Sequence, residues 1–142
     1  MIGVATSLGS LEGGESLKAV QMAVDEINAA GGVKVGAGTR PFKVESIDLR
    51  DSDPGVPVPE ALLGLEKIIL EKKPTALMVG PFRSEALIAG MDIIAKYKVP
   101  LIHHQKNRKT SLILINQGDR LILKKESIIN EVNLLWHKEF YQ

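Results

Sequence analysis

The chain of 142 residues contains no cysteine. That excludes disulfide staples and thiolate metal sites, and it leaves the redox compartment open. No apolar run approaches the ~18 residues that a membrane-spanning helix requires. Neither charge dominates: 18 Lys and Arg stand against 17 Asp and Glu, a formal net of +1. Such a balance gives no broad basic surface for nucleic acid and no acidic tail. Internal repeats with a period of about 20–50 residues are absent, and so are low-complexity segments. Several signatures of catalysis and nucleotide binding are also missing. Gly9, Gly13 and Gly14 do not follow the dinucleotide fingerprint G-x-G-x-x-G, no glycine loop ends in Gly-Lys-Ser/Thr, and there is no G-x-S-x-G elbow. No Ser-His-Asp ordering supports a nucleophile. The reading is a chain that is not an enzyme and carries no cofactor.

What is present suits one soluble domain with a real core, and not two. Hydrophobic residues make up 44% and charged residues 25%, ordinary for a globular protein. The charge is nevertheless uneven. Residues 1–105 hold 11 basic and 13 acidic side chains, whereas residues 106–142 hold 7 and 4. The sign changes at Lys106-Asn107-Arg108-Lys109, a basic run without interleaved aromatics that reads as a solvated linker.

Up to that switch the pattern alternates between strand and helix. Ile2–Ala5 is short and apolar, as a buried parallel strand should be. A small-residue loop, Thr6–Gly14, leads to a helix that Ser16 can cap, with Leu17, Val20, Ala23, Val24 and Ile27 as its apolar stripe. Gly31-Gly32 ends that helix. Lys34–Arg40 reads as a turn-rich connection and Phe42–Leu49 as a second strand. The three prolines and glycine of Asp51–Pro59 mark a loop, after which Glu60–Lys72 forms a helix buried through Leu62, Leu65, Ile68 and Ile69. Thr75–Val79 is a third strand. Ser84 can cap a third helix running to about Lys96, with Leu87, Ile88, Met91, Ile94 and Ala95 inward. Val99–Ile102 opens a fourth strand. Three such units in succession predict a parallel sheet with right-handed crossovers. Beyond Gln105, Ser111–Ile115 and Arg120–Leu123 flank Asn116–Asp119 and predict a hairpin with a four-residue loop. Ser127–Tyr141 fits an amphipathic helix through Ile128, Val132, Leu135, Trp136 and Phe140.

Four tags in this order resemble the first lobe of the type I periplasmic binding proteins, the branched-chain amino acid and amide receptors of ABC transporters. They are Asp25–Gly32 (DEINAAGG), Asp48–Pro54 (DLRDSDP), Val79–Ser84 (VGPFRS) and Val99–Ile102 (VPLI). The resemblance covers roughly the first 100 residues. It implies an α/β fold, three-layer with a mostly parallel sheet of Rossmann-like or flavodoxin-like kind, with a C-terminal β-hairpin plus helix whose placement stays open. The expected organisation is a partial lobe-one domain over residues 1–105 and a divergent extension over 106–142 packed on it. By the same resemblance the protein is periplasmic or extracellular. Met1 abuts the first strand with no leader before it, which makes the chain cytoplasmic if this is the full gene product.

The resemblance also implies a ligand-binding set: Ser7, Gly9, Ser10, Glu12, Gly80, Phe82, Ser84 and His103. The loop after the first strand would line a cleft, its small residues letting backbone approach a solute. Ser84 matches the small polar residue that grips a ligand carboxylate in amino acid binders, where a hydroxyl and open N–H groups at a helix start favour an anion. Its plain alternative is an N-cap worth ~1 kcal/mol. Glu12 falls where many relatives place an aromatic, and suits a cationic or amide solute or simply faces solvent. His103-His104-Gln105-Lys106-Asn107 replaces a loop of small residues and departs from the amino acid binders. Adjacent histidines on a strand point to opposite faces, so no metal site is expected there. None is expected either at Asp48, Asp51 and Asp53, or at His137 with Glu131 and Glu139.

Two functions follow. The first is a solute-binding module for a small polar solute such as an amino acid or amide, truncated to part of one lobe, and therefore weak or inactive. One wall cannot bury the ~70–90% of a ligand that a tight pocket covers. The alternative is a self-associating interaction or remnant domain, a homo-oligomer formed through the exposed lobe face or sheet edge. Neither involves nucleic acid or a membrane span.

Overall fold

The computed structural model describes residues 1–104, 111–117 and 120–122. Its elements run β1 (Ile2–Thr6), α1 (Leu11–Ala29), β2 (Val33–Val35), β3 (Gly38–Arg40), β4 (Val44–Asp48), α2 (Val58–Lys72), β5 (Ala76–Met78), α3 (Ser84–Tyr97), β6 (Leu101–His104), β7 (Ser111–Gln117) and β8 (Arg120–Ile122). The main sheet has the order β4-β1-β5-β6-β7-β8. Its first four strands are parallel, and β7 and β8 are antiparallel additions. The expected α/β architecture with a mostly parallel sheet is the one observed.

Period-two alternation along the strands splits the core between the two faces of the sheet. Ala5, Leu77 and Leu101 face α2 and α3, packing with Ala61, Leu65, Ile68, Ile69, Ala86, Leu87 and Ile94. Val4, with Ile2, Val44 and Met78, faces α1 and meets Val20 and Val24. The α1 stripe is narrower than the sequence pattern suggests, since Ala23 and Ile27 lie exposed and only Val20 and Val24 of the five are buried. Ile88, expected inward on α3, is 72% exposed. All three are apolar residues at the margin of a helical stripe with no described neighbour to cover them.

Helix ends are set by chemistry that the sequence carries only in part. α1 starts five residues before the expected Ser16 cap: Ser10 is the N-cap, its Oγ accepting the Gly13 N–H at 3.0 Å. Gly13 and Gly14, expected in the loop, therefore lie inside the helix. The reason is a close approach, because a Cβ on Gly13 would stand 1.9 Å from the Ser7 carbonyl oxygen. The other end stops at Gly31 and Gly32, both at positive φ, as expected. Asn28 of the DEINAAGG tag then clamps the chain. Its Nδ2 donates to the Phe42 carbonyl at 2.9 Å and its Oδ1 accepts the Phe42 N–H at 2.7 Å, tying the end of α1 to the start of β4. Lys34–Arg40, expected as a turn-rich connection, is a small hairpin pairing Val33 with Arg40 and Val35 with Gly38.

α2 and α3 both end in a lysine in the left-handed region, Lys73 and Lys98, just ahead of Pro74 and Pro100. The two helices are joined at Glu66, whose carboxylate accepts from the Tyr97 hydroxyl and from Lys96 Nζ at 3.1 Å. β7 and β8 pair as the expected hairpin, but not with the expected four-residue loop Asn116–Asp119: Asn116 and Gln117 belong to β7 and pair with Leu121 and Arg120, because the strand pairing continues past Ile115. The helix expected at Ser127–Tyr141, the basic run at Lys106–Lys109 and the His137 group lie outside the described residues.

Candidate functional site

All four parallel strands end at one rim of the sheet, the place where open α/β sheets carry their ligand loops. The first loop leaves β1 at Thr6, whose carbonyl accepts the Leu49 N–H at 2.9 Å. Ser7 follows, fully buried. Its Oγ accepts the Ser52 N–H at 3.1 Å and shares a short hydrogen bond with Ser52 Oγ. Its carbonyl accepts from the Ser10 N–H and the Ser10 hydroxyl. Across from it, Asp48 Oδ1 accepts the N–H groups of Leu8 and Arg50 at 2.9 and 3.0 Å. The loops after β1 and β4 are thereby locked into one surface.

The loop after β4 reaches on to the loop after β5. Asp51 is fully buried, and its Oδ2 accepts the Arg83 N–H at 2.8 Å. The Arg83 guanidinium turns back to donate from Nη2 to the Val56 carbonyl at 2.8 Å. Asp51 Oδ1 and Arg83 Nε are buried without a hydrogen-bond partner in the structure. Arg83 is the N-cap of α3 and makes no side-chain cap bond. The buried Asp51 carboxylate performs that work from another loop, which also sets negative charge at the positive end of α3. Ser84, expected as the cap, is instead the first helical residue and lies exposed. A residue at that position faces out beside N–H groups that have no partner within the helix.

The third and fourth loops meet as well. Val79 sits at φ +62°, an uncommon conformation for a β-branched residue. The turn it makes brings the Gly80 N–H to His103 Nδ1 at 3.3 Å. That bond needs the Nδ1 lone pair, so this nitrogen carries no proton when the bond is made.

The sequence-derived set therefore divides. Ser7, Ser10 and Gly80 hold the loops together, with Ser7 and Gly80 buried. Gly9, Glu12, Phe82 and Ser84 are exposed at the rim, Glu12 in the first turn of α1 rather than in the loop. His103 is partly buried against the third loop. Asp48, Asp51, Ser52 and Arg83 fall inside the sequence tags Asp48–Pro54 and Val79–Ser84 but have no place in the sequence-derived binding set. The signal is available in part: Asp48, Asp51, Ser52 and Asp53, clustered after a parallel strand, supply acceptors for neighbouring loop amides.

The rim presents hydroxyls and helix amides as hydrogen-bonding groups, and its Arg50–Asp53 and Arg83–Glu85 pairs, both 3.3 Å, lie in the loop after β4 and at the start of α3. A cleft of about 390 Å³ lies elsewhere, at the opposite end of the sheet, lined by Ile69, Lys73, Thr75, Tyr97 and Lys98 among others. Among the described residues, no helix is long and apolar enough to cross a membrane.

No protein-family model matches the chain, and no curated protein matches it. A solved structure does. It is designated a branched-chain amino acid ABC transporter, from Silicibacter pomeroyi, and is 27% identical to this chain with a TM-score of 0.54. The match covers 72% of this chain and 24% of the other. The chain therefore spans about a quarter of that relative, and the likeness shows that it shares the fold of a part of it.

Proposed function

We propose that the chain is a solute-binding module of the type I periplasmic binding protein kind, forming one wall of a cleft for a branched-chain amino acid or a small amide. The observation that carries this reading is the rim itself. Three consecutive β–α loops are fastened to one another by Ser7–Ser52 and Asp51–Arg83, leaving Ser84 and the start of α3 exposed beside them. The likeness to a branched-chain amino acid ABC transporter supports the solute class. In this reading residues 1–105 form the lobe, residues 106–142 extend it, and the protein works in the periplasm or outside the cell without chemistry of its own.

Binding by one wall is weak, because most of the solute surface stays in water. A dissociation constant near 1 mM corresponds to only about 4 kcal/mol, and a second wall would tighten it. Calorimetric titration of the protein with leucine, isoleucine, valine, small amides and urea tests this directly. Saturable binding of one class, lost in Ser84→Ala with the fold intact, is expected. Heats no larger than dilution for every solute, unchanged by Ser84→Ala, would remove the binding role. The alternative, a self-associating domain, is favoured by the apolar residues left exposed on α2 and α3, namely Leu63, Leu70 and Ile88. A molar mass from light scattering that rises above the monomer value with concentration would support it.

A further inference from the structure

The cleft at the end of the sheet away from the rim is built from one pattern used twice. α2 and α3 lie side by side, and each ends in a left-handed lysine, Lys73 at φ +49° and Lys98 at φ +54°. The two turns engage the last carbonyls of their helices. The Lys73 N–H donates to Ile69, the Lys98 N–H to Ala95 and the Val99 N–H to Ile94. The lysine side chains, by contrast, are free. Their neighbours Lys72 and Lys96 are paired with Glu45 and Glu66 at 3.3 and 3.1 Å. Among the described residues, Lys73 and Lys98 have no acidic partner, and both are exposed. The lining beside them is apolar: Pro74, Val99, the Tyr97 ring and Leu70, which is 50% exposed. The ring is held in place, because the Tyr97 hydroxyl donates to Glu66 and Lys96 Nζ lies 4.7 Å from the ring centroid. Thr75 adds a hydroxyl. At about 390 Å³ the cleft is of the size that takes a small molecule.

We propose that this cleft is a second binding site, for a small amphipathic anion: an apolar body lying against Leu70 and Tyr97, and one carboxylate, phosphate or sulfonate group paired with Lys73 and Lys98. Exposed lysines and a half-exposed leucine are each ordinary on a protein surface. Here they share one concave site, and the two uncompensated ammonium groups give it a single sign. Helix C-termini oppose an anion through their free carbonyls. In this cleft the Ile69, Ile94 and Ala95 carbonyls already accept backbone N–H groups, so the lysines set the charge that a ligand meets. A charged head then makes charge-assisted hydrogen bonds to Lys73 and Lys98, and an apolar body removes the Leu70 and Tyr97 surfaces from water. The site stands apart from the rim and does not depend on solute binding there.

Hydrocinnamate, a phenyl ring on a short chain ending in a carboxylate, is the probe. It is titrated into the nitrogen-labelled full chain and followed by the amide NMR signals. Saturable shifts are expected at the amides of Lys73, Thr75, Lys98 and Val99. Lys73→Gln with Lys98→Gln should weaken binding by about tenfold or more. Lys73→Arg with Lys98→Arg should keep it, and Ser84→Ala, at the rim, should leave it unchanged. The neutral hydrocinnamamide should bind more weakly for want of charge, and inorganic phosphate for want of an apolar body. The proposal is overturned if the amide binds as well as the carboxylate, if phosphate matches hydrocinnamate, or if the double glutamine variant binds as the parent chain does. It is equally overturned if the shifts centre on the first amides of α3 and vanish in Ser84→Ala, which would assign the anion to the rim.

Discussion

Replacing Gly13 by alanine tests the link between the α1 helix and the rim, because helix propensity and packing demand opposite signs there. In a helix, Gly→Ala is worth up to about 1 kcal/mol of stability. At Gly13 the added Cβ would fall 1.9 Å from the Ser7 carbonyl oxygen, 2.7 Å from the Ser7 carbonyl carbon and 3.0 Å from Ser10 Oγ. These are backbone atoms and a capping hydroxyl, not the tip of a flexible side chain, so α1 or the Ser7–Ser10 turn must move. Overpacking of this kind costs about 1–3 kcal/mol, and disturbing the Ser10 cap adds about 1 kcal/mol. Gly13→Ala should therefore destabilise the protein by about 2 kcal/mol net of the propensity gain. Gly14, one residue on, is the control: its added Cβ would meet only the Leu8 carbonyl oxygen at 3.5 Å, an ordinary contact. Gly14→Ala should stabilise by about 0.5–1 kcal/mol. Urea unfolding of the full chain, followed by far-UV circular dichroism, gives both values from the midpoints. Equal shifts of the same sign would refute the reasoning, since the two sites differ only in what the new methyl group meets. If solute binding is found, Gly13→Ala should weaken it as well, because the displaced turn is part of the proposed wall.

Three further outcomes follow from the same contacts. Asp51→Ala leaves the Arg83 N–H without its acceptor and should cost about 1–3 kcal/mol, while Asp51→Asn, which keeps a carbonyl oxygen in place, should recover part of it; equal losses in both would mean that Asp51 does not cap α3. Asn28→Ala removes both bonds to Phe42 and should lower stability by about 1–3 kcal/mol, read as a shifted urea midpoint, with an unchanged midpoint refuting the clamp. The Glu45 carboxyl is held below its ordinary value by hydrogen bonds from Lys43 and Lys72, and that of Glu66 by the hydrogen bond from Tyr97 and then by Lys96. A carboxylate with a depressed folded-state pKa contributes stability that is present above its unfolded pKa and lost as pH falls through the folded one, so stability should decline below about pH 4.5. Glu45→Gln with Glu66→Gln should flatten that decline, and a pH profile identical to that of the parent chain would refute it.

The fold was more legible in the sequence than the site was. Strands and helices in an α/β protein are announced by periodicity, and short apolar strands such as Ile2–Thr6 beside striped helices such as Val58–Lys72 carry that signal clearly. Helix starts were less readable. Ser16 and Ser84 have the right chemistry for caps, but capping depends on where the chain enters the helix, and that is fixed by contacts distant in sequence. Ser10 caps α1 because Gly13 can lie on Ser7, and Asp51 caps α3 from 32 residues away. Asn28 makes the same point from the other side. The DEINAAGG tag was readable as a resemblance, yet the reason for its asparagine appears only once Phe42 is seen against it.

Most of the polar groups on the rim are already engaged with the protein, and this narrows what a solute could use. Ser7, Ser10, Asp48 and Asp51 each hold a backbone amide of a neighbouring turn, so they set the shape of the wall rather than read a ligand. His103 Nδ1 is likewise occupied by the Gly80 N–H, reached through a Val79 conformation that costs about 1–3 kcal/mol. The strain is sustained because Val79 is pinned on both sides, its N–H donating to the Ile102 carbonyl and its carbonyl accepting the Ala5 N–H. In the proposed binding role, selectivity would fall to the groups that remain exposed: the Ser84 hydroxyl with the first amides of α3, the Glu12 carboxylate and the Phe82 ring. A hydroxyl and helix amides favour a carboxylate or carbonyl oxygen, a carboxylate favours an ammonium or amide N–H, and a half-exposed ring favours an apolar side chain. Of the proposed solutes, an amino acid with a branched aliphatic side chain would present all three.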